Sequence, residues 1–141
     1  MKKIIFVALV FICTYATSFA QGKIPTAVTT AFNQKFSGAT NIKWGKENPH
    51  EYEADFQWNG EKYSANFTES GEWLETESTI TFSQLPEKVQ TTFNSTHKGA
   101  TVKAIAKIET SKKTINYEVE FKDGTKTVEI IYTQEGTELK Q

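Results

Sequence analysis

The sequence predicts an α+β fold: two tandem α-β-β-β-β repeats, with an antiparallel sheet and both helices packed on one of its faces. Three observations carry that reading. A strand motif is written twice, as Tyr52-Glu53-Ala54-Asp55-Phe56 and as Tyr117-Glu118-Val119-Glu120-Phe121. Each copy runs into a dipeptide that closes a tight hairpin, Asn59-Gly60 and then Asp123-Gly124. Each is preceded by a segment with helical apolar spacing, Ile24 to Phe36 and Leu85 to His97. One helix on four strands covers too little core to stand alone, so the two copies are expected to form one two-layer domain.

The chain is 141 residues long, and its first twenty read as a secretory signal rather than as part of the fold. Lys2 and Lys3 make a basic start, Ile4 to Ile12 an apolar run too short for a bilayer, and Ser18-Phe19-Ala20 a cleavage pattern before Gln21. Ile12 in front of Cys13 argues against a lipoprotein signal. Cys13 therefore leaves with the leader, and the exported chain has no disulfide, no thiol nucleophile and no thiolate metal site. Residues 21–141 are expected to be a single domain, its repeats spanning about 24–82 and 83–141, with no membrane-crossing segment. All 16 basic residues are Lys, and the formal charge of −1 becomes −3 once Lys2 and Lys3 are gone. Nucleic acid is excluded as a partner on both counts, since Arg forks and a basic face carry that recognition.

The elements follow in order. Pro25 sits at the first turn of helix one, where its missing N–H costs nothing. Ala27, Val28, Ala31, Phe32 and Phe36 share a stripe, and Gly38 follows the last turn. Asn41 to Trp44 alternates, with Ile42 and Trp44 inward. Tyr52, Ala54, Phe56 and Trp58 then share one strand face, while Glu51, Glu53, Asp55 and Gln57 share the other. That alternation predicts one covered and one solvated face. Tyr63, Ala65 and Phe67 return inward. A fourth strand starts at Glu72, with Leu74 and Ile80 inward and Trp73 outward. The second copy repeats the design: Leu85-Pro86 matches Ile24-Pro25, Phe93 matches Phe32, and His97 falls where Phe36 stood. That position reads His97 as a ring beside the core rather than as a ligand. Ile115, Tyr117, Val119 and Phe121 face inward, and Val128, Ile130 and Tyr132 come back.

No catalytic or metal constellation is visible, and no cofactor is implied. His50 and His97 fall in different copies without zinc-ligand spacing. The binding candidates are Trp73, Glu51, Glu53, Asp55, Glu118 and Glu120. An outward Trp73 is either a binding anchor or an edge ring lying over its neighbours. The five carboxylates could draw a basic partner or hold calcium weakly; the plainer reading is a solvated face balanced by Lys62, Lys112, Lys113 and Lys126. Acid–base work is not expected of them, because exposed strand positions lack the burial that raises a carboxyl pKa. Trp44, Trp58 and Trp73 all lie in the first copy.

A secretory signal, a Leu-Pro-x-x-Val helix start, a Tyr-x-x-x-Phe strand, an Asn-Gly or Asp-Gly hairpin and a late Gly followed by Leu, all doubled, resemble the PepSY-like family of exported bacterial proteins. The resemblance covers Ile24 to Leu139 and implies a fold like that of β-lactamase inhibitor protein. It also implies a periplasmic or secreted non-enzyme, with regulation of peptidases as the usual conjecture. No inhibitory residue carries over. The expectation is an exported binding or inhibitor-like module that holds an envelope protein or peptide on its open sheet face. The alternative is a small-ligand or glycan binder using the first-copy aromatics.

Overall fold

A computed structural model describes residues 23–139, so the expected signal peptide, Met1 to Ala20, lies outside the described residues. Helix α1 (Thr26–Lys35) precedes strands β1 (Thr40–Asn48), β2 (Glu51–Trp58), β3 (Glu61–Thr68) and β4 (Trp73–Thr79). A short 3-10 turn, Phe82–Gln84, leads into α2 (Glu87–Thr96). Strands β5 (Thr101–Thr110), β6 (Ile115–Asp123), β7 (Lys126–Thr133) and β8 (Glu138–Leu139) follow. Strands β1 to β4 pair in chain order as antiparallel neighbours, and so do β6 to β8. The chain divides into two compact units. The N-terminal unit holds the described chain up to Thr79 together with Ile108–Thr114; the C-terminal unit holds Ile80–Lys107 and the described chain from Ile115 on.

In the N-terminal unit, Pro25 stands just ahead of α1 rather than in its first turn, and its carbonyl accepts from the Thr29 N–H at 3.2 Å. The helix ends at Phe36, whose N–H donates to the Phe32 carbonyl at 2.8 Å. Val28, Phe32 and Phe36 bury one stripe against Tyr52, Ala54 and Phe56 of β2 and Ala65 and Phe67 of β3. The rings interlock: Phe32 meets Phe56 edge-on at 4.9 Å, and Phe36 meets Phe56 at 4.7 Å. Each such ring stabilises the fold by about 1.5–3 kcal/mol through burial. The turn after β3 is pressed onto the start of the helix. A Cβ at Gly71 would lie 2.6 Å from the Ala27 carbonyl oxygen, and φ there is +85°.

The register shifts at three places, twice in β1 and once in β4, and two of these shifts overturn side assignments that the sequence suggests. In β1, Thr40 pairs with Gln57 and Lys43 with Asp55, so one extra residue is accommodated near Asn41, which has φ +54°. Ile42 is thereby turned out and is 38% exposed, not inward as expected. In β4, Asn66 pairs with Glu75 but Phe67 pairs with Trp73. Leu74 is the extra residue, and the bulge re-aims what precedes it. Trp73 consequently joins the side of Phe67 and packs against the core, instead of pointing outward.

The C-terminal unit uses the same devices. Gln90 N–H donates to the Pro86 carbonyl at 3.0 Å, and His97 N–H to the Phe93 carbonyl at 2.8 Å. Val89 and Phe93 bury against Tyr117, Val119 and Phe121 of β6 and Tyr132 of β7, with Leu85 and Ile105 closing the cluster. His97 takes its place beside the core as expected: its ring lies 4.6 Å from Phe121 and 5.4 Å from Phe93. A Cβ at Gly136 would lie 2.7 Å from the Lys88 carbonyl oxygen, the counterpart of the Gly71 contact. In the part of β5 that belongs to this unit, the buried position is Ile105.

Candidate functional site

The residues that gather charge are on the side of the N-terminal sheet away from α1. Directly opposed residues on neighbouring strands share a face. Glu53 stands opposite Asn66, and Asn66 opposite Glu75. Beside this row, Asp55 stands opposite Ser64, and Ser64 opposite Glu77. On β1 the neighbour of Asp55 is Lys43, but the neighbour of Glu53 is Gly45, which brings no side chain. Lys46 is engaged elsewhere, with its Nζ 5.0 Å over the Tyr52 ring and 3.4 Å from the Pro49 carbonyl.

This face is not the open, solvated one that the alternation suggests. Asn66 is 4% exposed, and Ser64 and Glu77 are each 5% exposed. Glu51, Glu53 and Glu75 are half-buried, and only Asp55 is exposed. Burial, with help from Asp55, Glu47 and Glu75, pushes the Glu53 carboxyl up to about 7. Burial also raises Glu47, with Glu51 and Glu75 adding to it. Glu75 is raised by burial against a lowering hydrogen bond from Asn66, and Asp55 is raised by burial against the nearby Lys43. The expectation that these carboxyls lack burial is therefore corrected. Desolvation penalises each charged form, and carboxylates packed together cannot all ionise cheaply.

Asn66 is the residue that sequence reasoning missed. Its Nδ2 donates to Glu75 Oε1 at 3.4 Å, while its buried Oδ1 has no hydrogen-bond partner. Glu51 is tied into the adjoining turn, its Oε2 accepting from Asn48 Nδ2 at 2.7 Å. The alternation of Lys62, Ser64 and Asn66 in β3 contained the signal for Asn66. Glu75 was hidden by the bulge at Leu74.

The other candidates fall elsewhere. Glu118 and Glu120 lie in the C-terminal unit, Glu118 being 5% exposed and Glu120 half-buried. Glu120 stands opposite Glu129 on β7, whose carboxyl is raised by burial and then by Glu120. Trp73 is half-buried, with Lys35 Nζ 3.5 Å above its ring and its Nε1 donating to Thr76 Oγ1 at 2.9 Å. Glu138 Oε1 lies 3.4 Å from His97 Nε2, from Thr96 Oγ1 and from the Tyr132 hydroxyl. A cleft of about 180 Å³ opens between the end of α2 and the β6–β7 turn, lined by His97, Lys98, Lys122 and Asp123 among others. Among the described residues, no group of three or more His, Cys, Asp or Glu side chains is arranged to hold a metal ion.

Residues 50–140 match the family described as "Putative beta-lactamase-inhibitor-like, PepSY-like". No curated protein matches the chain. Among solved structures, the chain is similar to a BLIP-like protein from Bacteroides fragilis, with 27% identity and a TM-score of 0.70 over 84% of this chain and 86% of that one. It is also similar to a DUF2874 family protein from Bacteroides ovatus, with 21% identity and a TM-score of 0.74 over 84% and 86%. A protein from Bacteroides eggerthii described as "putative periplasmic" shares 21% identity and a TM-score of 0.76 over 84% and 88%. The family match runs from the β1–β2 turn to the last strand, more than half of the chain, and the protein belongs to the PepSY-like family.

Proposed function

We propose that the chain is an exported, non-enzymatic module that holds a protein partner on the polar sheet face of its N-terminal unit. The observation that carries this is the row of half-buried acids in which Glu53 and Glu75 flank the buried Asn66, with Lys43 standing across from Asp55 and the Glu53 carboxyl pushed up to about 7. Carboxylates whose pKa is raised by burial and by one another are what a surface kept for a ligand presents. The inhibitor-like description of the family supports a partner that is a protein. Export is supported by the signal-like first twenty residues and by the periplasmic description of the B. eggerthii structure. A peptidase or another envelope protein is the class of partner that fits an inhibitor-like role. The glycan-binding alternative gains no support, since Trp44, Trp58 and Trp73 all pack against the first core.

The test is affinity capture. The exported chain is fixed to a resin, envelope extract is passed over it, and bound proteins are compared with those held by the triple variant Glu53→Gln, Asp55→Asn, Glu75→Gln. Trp73 is left intact because its loss would disturb the core. One envelope protein held by the native chain and lost by the variant is the expected result. Equal capture by both would refute a role for this face.

A further inference from the structure

Glu53, Asn66 and Glu75 form a row across three strands in which almost every available atom is an acceptor. Carboxylates only accept, and the amide donor of Asn66 is committed to Glu75. The Oδ1 that remains is buried on a side chain only 4% exposed, and it has no partner. An orphaned buried acceptor carries an uncompensated desolvation penalty, which a donor entering the row would relieve. Gly45, next across from Glu53, leaves room where a lysine would have neutralised the row from within.

We propose that this row is a receptor for an arginine side chain of a partner protein, the guanidinium lying between Glu53, Asn66 Oδ1 and Glu75. The inference rests on the partner-binding reading above and names the group that the polar face recognises. A guanidinium offers five N–H donors in one plane, keeps its charge at any working pH and is less strongly hydrated than an ammonium. It suits a row of acceptors that come from three adjacent strands. The chain itself has no arginine, so neither its own segments nor a second copy can supply the group. The protonation state of the row fits the same occupant. Glu53 takes up a proton near neutrality because it is desolvated by burial and crowded by Asp55, Glu47 and Glu75, while Lys43 faces Asp55 and Glu51 is tied to Asn48. A cation entering the row displaces that proton, so binding strengthens as pH rises through about 7.

The experiment is an NMR titration of the exported chain with the capped tripeptide acetyl-Ala-Arg-Ala-amide. Its citrulline counterpart is the neutral control and its lysine counterpart the point-charge control. The Asn66 side-chain amide and the Glu53 and Glu75 carboxyls are followed. The expected result is a saturable shift at all three groups with the arginine peptide, a fall in the Glu53 midpoint, no shift with citrulline, and weaker binding of lysine. Glu75→Gln, which keeps shape and one acceptor, should weaken the arginine peptide about fivefold, the upper end of what a partly exposed ion pair supplies. Unchanged core resonances of Val28 and Phe67 confirm that the variant is folded. No saturable shift, an equal response to citrulline, or full binding by Glu75→Gln would each overturn the proposal. A partner captured through this face while the arginine peptide stays silent would sink the guanidinium receptor and leave the partner-binding reading standing. Arginine binding with nothing captured would do the reverse.

Discussion

Glu53→Gln should make the protein more stable above neutral pH and leave it nearly unchanged in acid. Glu53 in the folded state is raised from 4.5 to about 7. Below 4.5 the carboxyl carries its proton in both the folded and the unfolded chain, so it has no effect. Between 4.5 and about 7 the unfolded chain releases the proton and the folded chain keeps it, so stability falls as pH rises. Above 7 the full penalty is present and constant. At about 1.36 kcal/mol per pKa unit, the whole displacement would be about 3.4 kcal/mol. Part of the side chain remains in solvent, where screening weakens such terms, so about 1–2 kcal/mol is the expected penalty. The assay is urea unfolding of the native chain and Glu53→Gln at about pH 5 and about pH 8, read as a change in midpoint at constant slope. The variant should gain about 1–2 kcal/mol over the native chain at the higher pH and much less at the lower one. Glu47, Asp55 and Glu75 are raised too and bend both profiles in the same direction, so only the difference between the two proteins isolates Glu53. Parallel profiles would show that burial and crowding do not act on Glu53 as argued.

Three further outcomes follow from the packing. Gly71→Ala should cost about 2–3 kcal/mol, because the new Cβ meets helix backbone at positive φ, whereas Gly60→Ala, at positive φ in open space, should cost about 1 kcal/mol; equal urea midpoints for the two would refute the turn–helix contact. Lys35→Ala should lower stability by about 0.5–1 kcal/mol and alter the Trp73 fluorescence, since the exposed ammonium lies over that ring; unchanged emission would mean the contact is not populated. His97→Phe should stay within about 1 kcal/mol of the native chain, because Phe36 fills the matching position in the N-terminal unit and both rings meet β-strand Phe side chains; unfolding at low urea would show that the Glu138 contact matters more than the ring.

Legibility in the sequence tracked how local the determining physics was. The helix stripes, the hairpin turns and the inward faces of β2 and β6 depend on neighbours a few residues away, and there Phe32, Phe56 and Phe121 could be placed from spacing alone. Ile42 and Trp73 could not, because each adjoins a bulge, and a bulge reverses every inward and outward assignment on one side of it. Nothing in Trp73-Leu74-Glu75 announces that Leu74 is the surplus residue. That single extra residue also decides where Glu75 stands, and so whether Asn66 has a carboxylate on both sides. The site was therefore half legible: Glu51, Glu53 and Asp55 could be read from β2, but the atoms that make their row unusual come from β3 and β4.

The second copy of the strand motif offers a direct comparison for the proposed role of the N-terminal row. Position by position, β6 matches β2, and Glu118 and Glu120 stand where Glu53 and Asp55 do. The cross-strand partners differ. Glu53 faces Asn66, an amide with an orphaned oxygen, whereas Glu118 faces Ile131 and Glu120 faces Glu129. An isoleucine beside a carboxylate provides no acceptor, so the C-terminal row cannot surround a guanidinium from three sides. If the acidic positions served only solubility, the two units would tolerate the same exchanges. Placing Ile at position 66 is the direct comparison. Asn66→Ile copies the C-terminal arrangement, should leave the core resonances of Val28 and Phe67 in place, and should abolish the saturable response to the arginine peptide. A variant that still binds the peptide as the native chain does would show that the orphaned oxygen of Asn66 takes no part in recognition.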